Sequence, residues 1–349
     1  MADDASVALS TNDRPRPLSV ALVGAGRVAR EYHVPCLKAA GVRVTAVVDP
    51  DPEARRRVSA LVPGAIALRE VAELHGPIDC AVVCTPPAAH AGPVRWLAEH
   101  GIHVLCEKPL ACTERDAAQL VEVARVGGVV LQVGYYRRFH PAAQRVGAWI
   151  EEGKLGRPRR ATLVGGHIQH PREASPSLMD VGQSGGGVMM DVGVHVVDRL
   201  LSWFAALTLR EYLDDRDGGM EANALVRLEA RAGEDPVPIT ILLSRTSDLG
   251  YHGAVEFEDG TVVCALNAGH ALTVFTPADA RSPRIVETGE LRTAAGYFRD
   301  QWAEFAAQIE GGAPRVSSLR DAVRASAIVE ACYRSRQPLA LPWEACALS

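Results

Sequence analysis

From residue 18 to residue 133, short apolar runs and helix-patterned runs alternate without a break, and this rhythm leaves the chain few architectures. Runs at 18–23, 42–48, 66–68, 78–85, 103–106 and 129–133 read as strands. Stretches at 28–40, 52–61, 71–74, 88–100 and 113–126 read as helices. Thr113, with Asp116 three residues on, caps the last of them. Strands separated by helices cannot pair as hairpins. They line up in parallel, joined by right-handed crossovers. Near Gly134 the rhythm changes. A helix at 139–152 ends at Gly153, and strand-like runs follow at 159–164, 222–230, 237–244, 254–258, 261–265 and 272–275. Glu258-Asp259-Gly260-Thr261 signals a hairpin turn. Two helices, 298–310 and 319–334, close the chain.

The 349 residues suffice for two domains, and 48% apolar content supports a sizeable core. A net charge of −5 with mixed signs argues against a nucleic-acid partner, which needs a concentrated basic face. The Arg55-Arg56-Arg57 run reads as the solvated side of a helix. None of the eight cysteines forms a Cys-x-x-Cys pair. Cys80 and Cys84, about 13 Å apart along one strand, cannot share a disulfide or a metal. A reduced, cytoplasmic protein is expected. No apolar stretch reaches eighteen uninterrupted residues, so no membrane partner is expected.

Val23-Gly24-Ala25-Gly26-Arg27-Val28-Ala29 joins the first strand to the first helix. In such a turn the first glycine permits a tight bend, and the second lets a pyrophosphate approach backbone N–H groups at a helix N-terminus. Asp49 ends the second strand, placed to accept the adenosine ribose hydroxyls and to repel a 2′-phosphate. NAD is therefore the expected cofactor, while Arg27 leaves NADP open. The expected fold is an α/β Rossmann parallel-sheet domain plus an α+β domain with a large, mostly antiparallel sheet open on one face. Expected boundaries are a disordered tail at 1–16, the dinucleotide domain at 17–134, a substrate and oligomerisation domain at 135–317, and a helix and tail at 318–349 packing back on the body. An open sheet face calls for a cover, so a homodimer or homotetramer through it is expected.

Thr85-Pro86-Pro87 and Glu107-Lys108-Pro109 end neighbouring strands on one edge of the sheet, where ligand crevices form. Pro109 biases Lys108 toward an extended backbone. Eighty-three residues after Lys108, Gly185-Gly186-Gly187 leads into Asp191 and His195, one helical turn apart, with Asp198 extending the same face. The glycine run reads as a hinge-like entrance to that helix. Gly193 is costly in a helix and marks either a close substrate or close packing. Lysine, aspartate and histidine together can move a proton on a hydroxyl or carbonyl. His167 and His170 have the wrong spacing for one strand face, so no metal is expected. The stretch 165–184 reads instead as a substrate loop carrying His167.

These pieces together resemble the Gfo/Idh/MocA family of NAD(P)-dependent sugar and cyclitol dehydrogenases. They are the Gly24-x-Gly26 turn, Thr85-Pro86-Pro87 with His90, Glu107-Lys108-Pro109, the Gly185–187 run with Asp191 and His195, and the last helix with its Ser317-Ser318 lead-in. The resemblance spans nearly the whole chain. It implies that Lys108, Asp191 and His195 are catalytic and contact substrate. It also implies that Gly24, Gly26, Arg27, Val28, Asp49, Thr85, Pro86, His90, Glu107, Lys108 and Tyr136 border the cofactor. The loop Tyr135-Tyr136-Arg137-Arg138-Phe139-His140-Pro141 would lie along nicotinamide and substrate, with Tyr136 or Arg138 nearest the ligand. Inositol-type members often carry aspartate where this chain has His140. The implied activity moves a hydride between a nicotinamide cofactor and a secondary hydroxyl or ketone of a sugar, cyclitol or amino-sugar. Lys108 would polarise the oxygen and His195, an imidazole, would be the better base near neutral pH, with the proton open to either of the two. A dinucleotide-binding sensor and an NAD-dependent glycosidase stand as alternatives.

Overall fold

The computed structural model describes residues 17–170, 175–267, 269–279 and 282–339. The expected tail at 1–16, part of the expected substrate loop (171–174) and the chain beyond 339 lie outside the described residues. Six strands, β1 (Ser19–Val23), β2 (Arg43–Val48), β3 (Ile66–Leu68), β4 (Cys80–Val83), β5 (His103–Cys106) and β6 (Leu131–Val133), form an all-parallel sheet in the order β3-β2-β1-β4-β5-β6. Every residue of β1 and β4 is buried, as continuous apolar runs require when both sheet faces are covered. The crossovers carry α1 (Val34–Ala39), α2 (Pro52–Ser59), α3 (Ala91–Glu99) and α4 (Glu114–Val126). The Thr113 hydroxyl accepts the Asp116 N–H at 3.1 Å and so caps α4. The helix expected at 28–40 opens with a π-helical turn, Ala29–His33.

The second half contains α5 (Pro141–Glu152), β7 (Pro158–Gly166), α6 (Val181–Ser184), α7 (Val194–Trp203) and β8 (Leu207–Asp214). Then come β9 (Asn223–Ala232), β10 (Asp235–Ser244), β11 (Gly250–Phe257), β12 (Gly260–Ala265), β13 (Ala271–Phe275), β14 (Arg284–Glu287), α8 (Ala294–Ile309), α9 (Leu319–Arg334) and β15 (Gln337–Pro338). The helix expected at 139–152 starts later, because His140 precedes Pro141 and is pushed to an extended backbone (φ −69°, ψ 117°). Nine strands make the sheet β14-β13-β12-β11-β7-β10-β9-β8-β15, antiparallel except for the β7–β10 and β8–β15 pairs. Along β10, Val237, Ile239, Ile241 and Leu243 are buried, while Pro238, Thr240 and Leu242 on the other face are not. That alternation is the mark of a sheet packed on one side only.

The two faces of the parallel sheet feed different cores. Val20, Leu22, Val47, Val82 and Leu105 pack with Phe298, Trp302 and Phe305 of α8, so α8 as well as α9 returns to the first domain. Each fully buried side chain of this kind stabilises by about 2 kcal/mol. The opposite face, with Ala21, Val23, Ala81, Val83 and Cys106, joins one continuous cluster with α7, α9 and the inner face of the second sheet. The two domains are thus cemented along the edge where the sheet strands end.

Candidate active site

Backbone register draws the dinucleotide-domain residues into one row. Val48, Val23, Val83, Cys106 and Val133 are ladder partners across five strands. Gly24, Asp49 and Glu107 lie one position beyond that row, and Thr85 and Lys108 two. Gly24 has φ +94°, and a Cβ there would come within 2.6 Å of the Cys84 carbonyl carbon and the Thr85 nitrogen. Only glycine fits. Gly26 is different: a Cβ there would meet nothing within 4 Å, and Gly26, Arg27 and Val28 are exposed. The open space lies beside a helix N-terminus, so the turn fits a dinucleotide pyrophosphate. Asp49 braces the turn, its carboxylate accepting the Ala25 N–H at 2.7 Å and the Asp51 N–H at 2.8 Å. Asp51, not Asp49, caps α2. Arg27 pairs with Glu31 at 2.7 Å.

Across the domain junction, Lys108 Nζ donates to the Asp191 carboxylate and to the Asp191 carbonyl, each at 2.9 Å. Arg245, following β10, holds the other carboxylate oxygen at 3.1 Å. Burial would push the Asp191 carboxyl up, but Lys108 and Arg245 overcome it and hold the group well below the ordinary carboxylate range. Asp191 lies in a π-helical turn, Met189–Gly193, that runs directly into α7, where His195 sits. The His195 ring meets the edges of Tyr136 (5.7 Å) and Tyr135 (6.1 Å), and its Nδ1 is buried without a partner. Burial, then the charges of Arg137, Lys108 and Arg199, hold His195 well below the usual imidazole range. It is therefore neutral at physiological pH and does not titrate near neutrality as an ordinary imidazole would. The parallel β7–β10 pair sets His167 beside Arg245, and His167 Nδ1 meets the Tyr251 hydroxyl at 2.6 Å. The Tyr136 ring stacks on Phe298 at 4.7 Å, which fixes it between the two domains.

Several expectations change. Arg138 is not a ligand residue: 9% exposed, it forks onto the Asp198 carboxylate at 2.7–3.0 Å and reaches Asp321 at 3.0 Å. Asp198 is thereby turned from the Asp191–His195 pair to Arg138. His90 is fully buried, its nitrogens facing the Pro109 carbonyl at 2.8 Å and the Thr85 carbonyl at 2.9 Å, so it clamps two crevice loops together and does not touch a cofactor. The Glu107 carboxylate turns inward to His33 at 2.8 Å. Thr85 and Pro86 stay half-exposed at the crevice. The glycine run is a lock, not a hinge: Glu221 accepts N–H bonds from Gly187 and Met189 at 3.0 Å and is backed by the Tyr333 hydroxyl at 2.7 Å. Gly193 answers to packing, since a Cβ there would come within 2.5 Å of Met189 and 2.8 Å of Leu243. Glu221 went unassigned from sequence, whereas Arg245 follows directly on the apolar run 237–244.

An open dinucleotide turn and Lys108 at one edge of a parallel sheet, faced from the second half of the chain by Asp191 and a neutral His195, define a nicotinamide-dinucleotide oxidoreductase. Two family models match the chain. One is the oxidoreductase family with an NAD-binding Rossmann fold, over residues 18–135; the other is the GFO/IDH/MocA C-terminal domain, over residues 143–264. The chain belongs to the Gfo/Idh/MocA family. It is 26% identical over 331 residues to the rhizopine catabolism protein MocA of Rhizobium meliloti, covering 89% of this chain and 92% of that one. It is 24% identical over 330 residues to an inositol 2-dehydrogenase of Rhizobium meliloti strain 1021, covering 90% and 95%. Its fold matches the 3-ketoreductase KijD10 of Actinomadura kijaniata, crystallised with NADP and TDP-benzene, with a TM-score of 0.78 at 20% identity, covering 92% of this chain and 98% of that one.

Proposed function

We propose that the protein oxidises a secondary alcohol of a sugar, cyclitol or amino-sugar to the ketone, or runs the reverse. The observation that carries this reading is the Lys108–Asp191 pair at 2.9 Å, joining the dinucleotide domain to the helix of His195. The bound nicotinamide supplies the hydride acceptor or donor. Lys108 hydrogen-bonds the reacting oxygen and stabilises the negative charge that builds there. His195, kept neutral, takes the hydroxyl proton. Asp191 orients Lys108 and the substrate hydroxyl, and His167 presents a further polar group with Tyr251. Gly24, Gly26, Arg27 and Val28 hold the pyrophosphate, and Thr85, Pro86, Glu107 (by its backbone) and Tyr136 border the nicotinamide. Asp49 takes the adenosine ribose, which favours NAD over NADP.

The named activities of the relatives support a polyol or sugar substrate. The seven cysteines among the described residues are unpaired, and burial pushes Cys36 up to about 11 and Cys80 up to about 12, which suits inert thiols in a reducing cytoplasm. No described helix is long and apolar enough to cross a membrane. The boundary near residue 134 and a homodimer or homotetramer through the half-exposed sheet face belong to the same proposal, and light scattering of the purified chain tests the latter. The function itself is tested with Lys108→Ala. Turnover should fall by about a thousandfold or more while the dinucleotide Kd changes little. NADH formation at the parental rate by that variant would sink the mechanism.

A further inference from the structure

The catalytic end of the crevice holds more positive charge than its own carboxylates neutralise. Lys108 and Arg245 share one carboxylate, Asp191. Arg137 has no carboxylate within ion-pair reach among the described residues. Its Nε donates to the Tyr136 hydroxyl at 3.4 Å, and its guanidinium lies 5.9 Å from the Tyr136 ring centroid and 5.7 Å from that of Tyr251. Its Nη1 is buried without a partner. Arg199 is 3% exposed and meets only neutral acceptors: His140 Nδ1 at 3.2 Å, the Arg137 carbonyl at 3.1 Å and the Leu266 carbonyl at 3.4 Å. Its Nη1, like the Nε of Arg245, is buried and unpartnered. The other carboxylates close by are already engaged, Glu107 by His33 and Asp198 by Arg138. Among the described residues, Lys108, Arg245, Arg137 and Arg199 thus outnumber the two carboxylates that Arg138 does not take, Asp191 and Glu107. Buried guanidinium groups without a counter-charge are costly, and a fixed excess of one sign draws the opposite charge into a cleft.

We infer that the substrate is an acid, a polyhydroxylated carboxylate such as a uronate or aldonate, and that Arg137 and Arg245 hold its carboxylate beside the carbon that reacts. This rests on the oxidoreductase reading and names its substrate class. A carboxylate suits the planar guanidinium fork, which offers two parallel N–H bonds. It also offsets the positive charge that the oxidised nicotinamide adds. Only the carbinol changes in the reaction. The C–H bond breaks and its hydrogen would pass with the electron pair to the oxidised dinucleotide, the hydroxyl proton goes to His195, a C=O bond forms, and the carboxylate is unaltered.

Binding and turnover separate the two claims. Isothermal titration of the full chain with saturating NADH should be run with D-glucuronate against D-glucose, D-galacturonate against D-galactose, and D-gluconate against D-glucitol. In at least one pair the acid should bind about tenfold or more tighter. The advantage should shrink as salt rises. Arg137→Gln should lower the acid-to-neutral ratio by about tenfold, and Arg137→Lys should restore part of it. NAD⁺ reduction with the same compounds reads the reaction independently. Acid selectivity without NADH would leave the carboxylate site standing and sink the redox reading. Equal binding of acids and neutral partners by the wild-type chain would overturn the inference, whatever the turnover. So would a preference for D-glucose 6-phosphate over every acid, since that would assign the charge to a phosphate.

Discussion

Two glycine-rich turns in this chain each feed a helix that opens with a π-helical turn, and they do opposite things. At the first, Gly26 faces open space and the helix N-terminus is exposed. At the second, a Cβ on Gly187 would come within 2.0 Å of the Glu221 carbonyl oxygen, and the Glu221 carboxylate already takes the N–H groups of Gly187 and Met189. Both turns present N–H donors that attract an anion. One leaves the place for a ligand, while the other fills it with the protein's own carboxylate. The open turn can bind, and the filled one can only hold. What it holds is the π turn bearing Asp191, and so the geometry of the Lys108 contact.

The comparison breaks most readily by adding one methyl group to each turn. Gly187→Ala should cost about 4 kcal/mol of unfolding free energy in a urea titration, because the clash is with backbone and cannot be relieved by a side chain moving. Gly26→Ala should leave stability within about 0.5 kcal/mol, since nothing stands in the way. It should nevertheless weaken dinucleotide binding about tenfold or more in a fluorescence titration, because the methyl takes the space meant for phosphate. Equal stability losses in both variants would erase the distinction between them.

Part of this contrast could be read from sequence and part could not. Strands at 66–68 and 103–106 and the helix at 319–334 fall within the bounds expected from apolar runs and breakers. β8 was missed because its residues alternate with Arg210 and Glu211 and are half exposed, and β14 because it is an exposed edge strand. The open turn was legible because its logic is local, a strand, two glycines and a helix. The filled turn was not, because its plug lies 34 residues away, between Gly187 and Glu221. Arg137 and Arg138 make the same point. In sequence they are equivalent, yet Arg138 is claimed by Asp198, 60 residues on, and by Asp321, 183 residues on, while Arg137 stays in the crevice. Charge identity is written locally, but its partner is chosen by the fold.

Three buried histidines, one of them on the helix behind the filled turn, carry an acid sensitivity that the open turn does not explain. Burial, then Arg199 and Arg137, push His140 down to about 2, and burial leads the lowering of His195 and His90. These folded-state values lie below the unfolded value of about 6.5. Above that pH neither state is protonated and nothing is gained or lost. Below it the unfolded chain binds protons that the folded chain refuses, so stability falls as pH falls, by at most about 1.4 kcal/mol per unit for each histidine and only until that histidine's folded-state value is reached. Urea midpoints at pH 7, 6 and 5 should drop steadily, and His140→Asn should make that limb shallower by one proton. An unchanged slope in the variant would mean that His140 is protonated in the folded protein.

Asp49 gives the smallest and finest test, because it serves the open turn in two ways. Its carboxylate holds the Ala25 N–H at 2.7 Å and the Asp51 N–H at 2.8 Å, which is a structural duty. The proposed ribose contact adds a second duty that depends on charge as well as on an acceptor. Asparagine keeps an acceptor oxygen and loses the charge. If Asp49 only braces the turn, Asp49→Asn weakens NAD and NADP alike and their ratio stays put. If it reads the ribose, the repulsion of a 2′-phosphate disappears, and the NAD-to-NADP preference should fall by about fivefold, roughly 1 kcal/mol. The melting temperature separates these from a collapsed turn. A large loss of stability with no change in ratio would make Asp49 a brace alone, and the open turn would then owe its cofactor choice to Arg27.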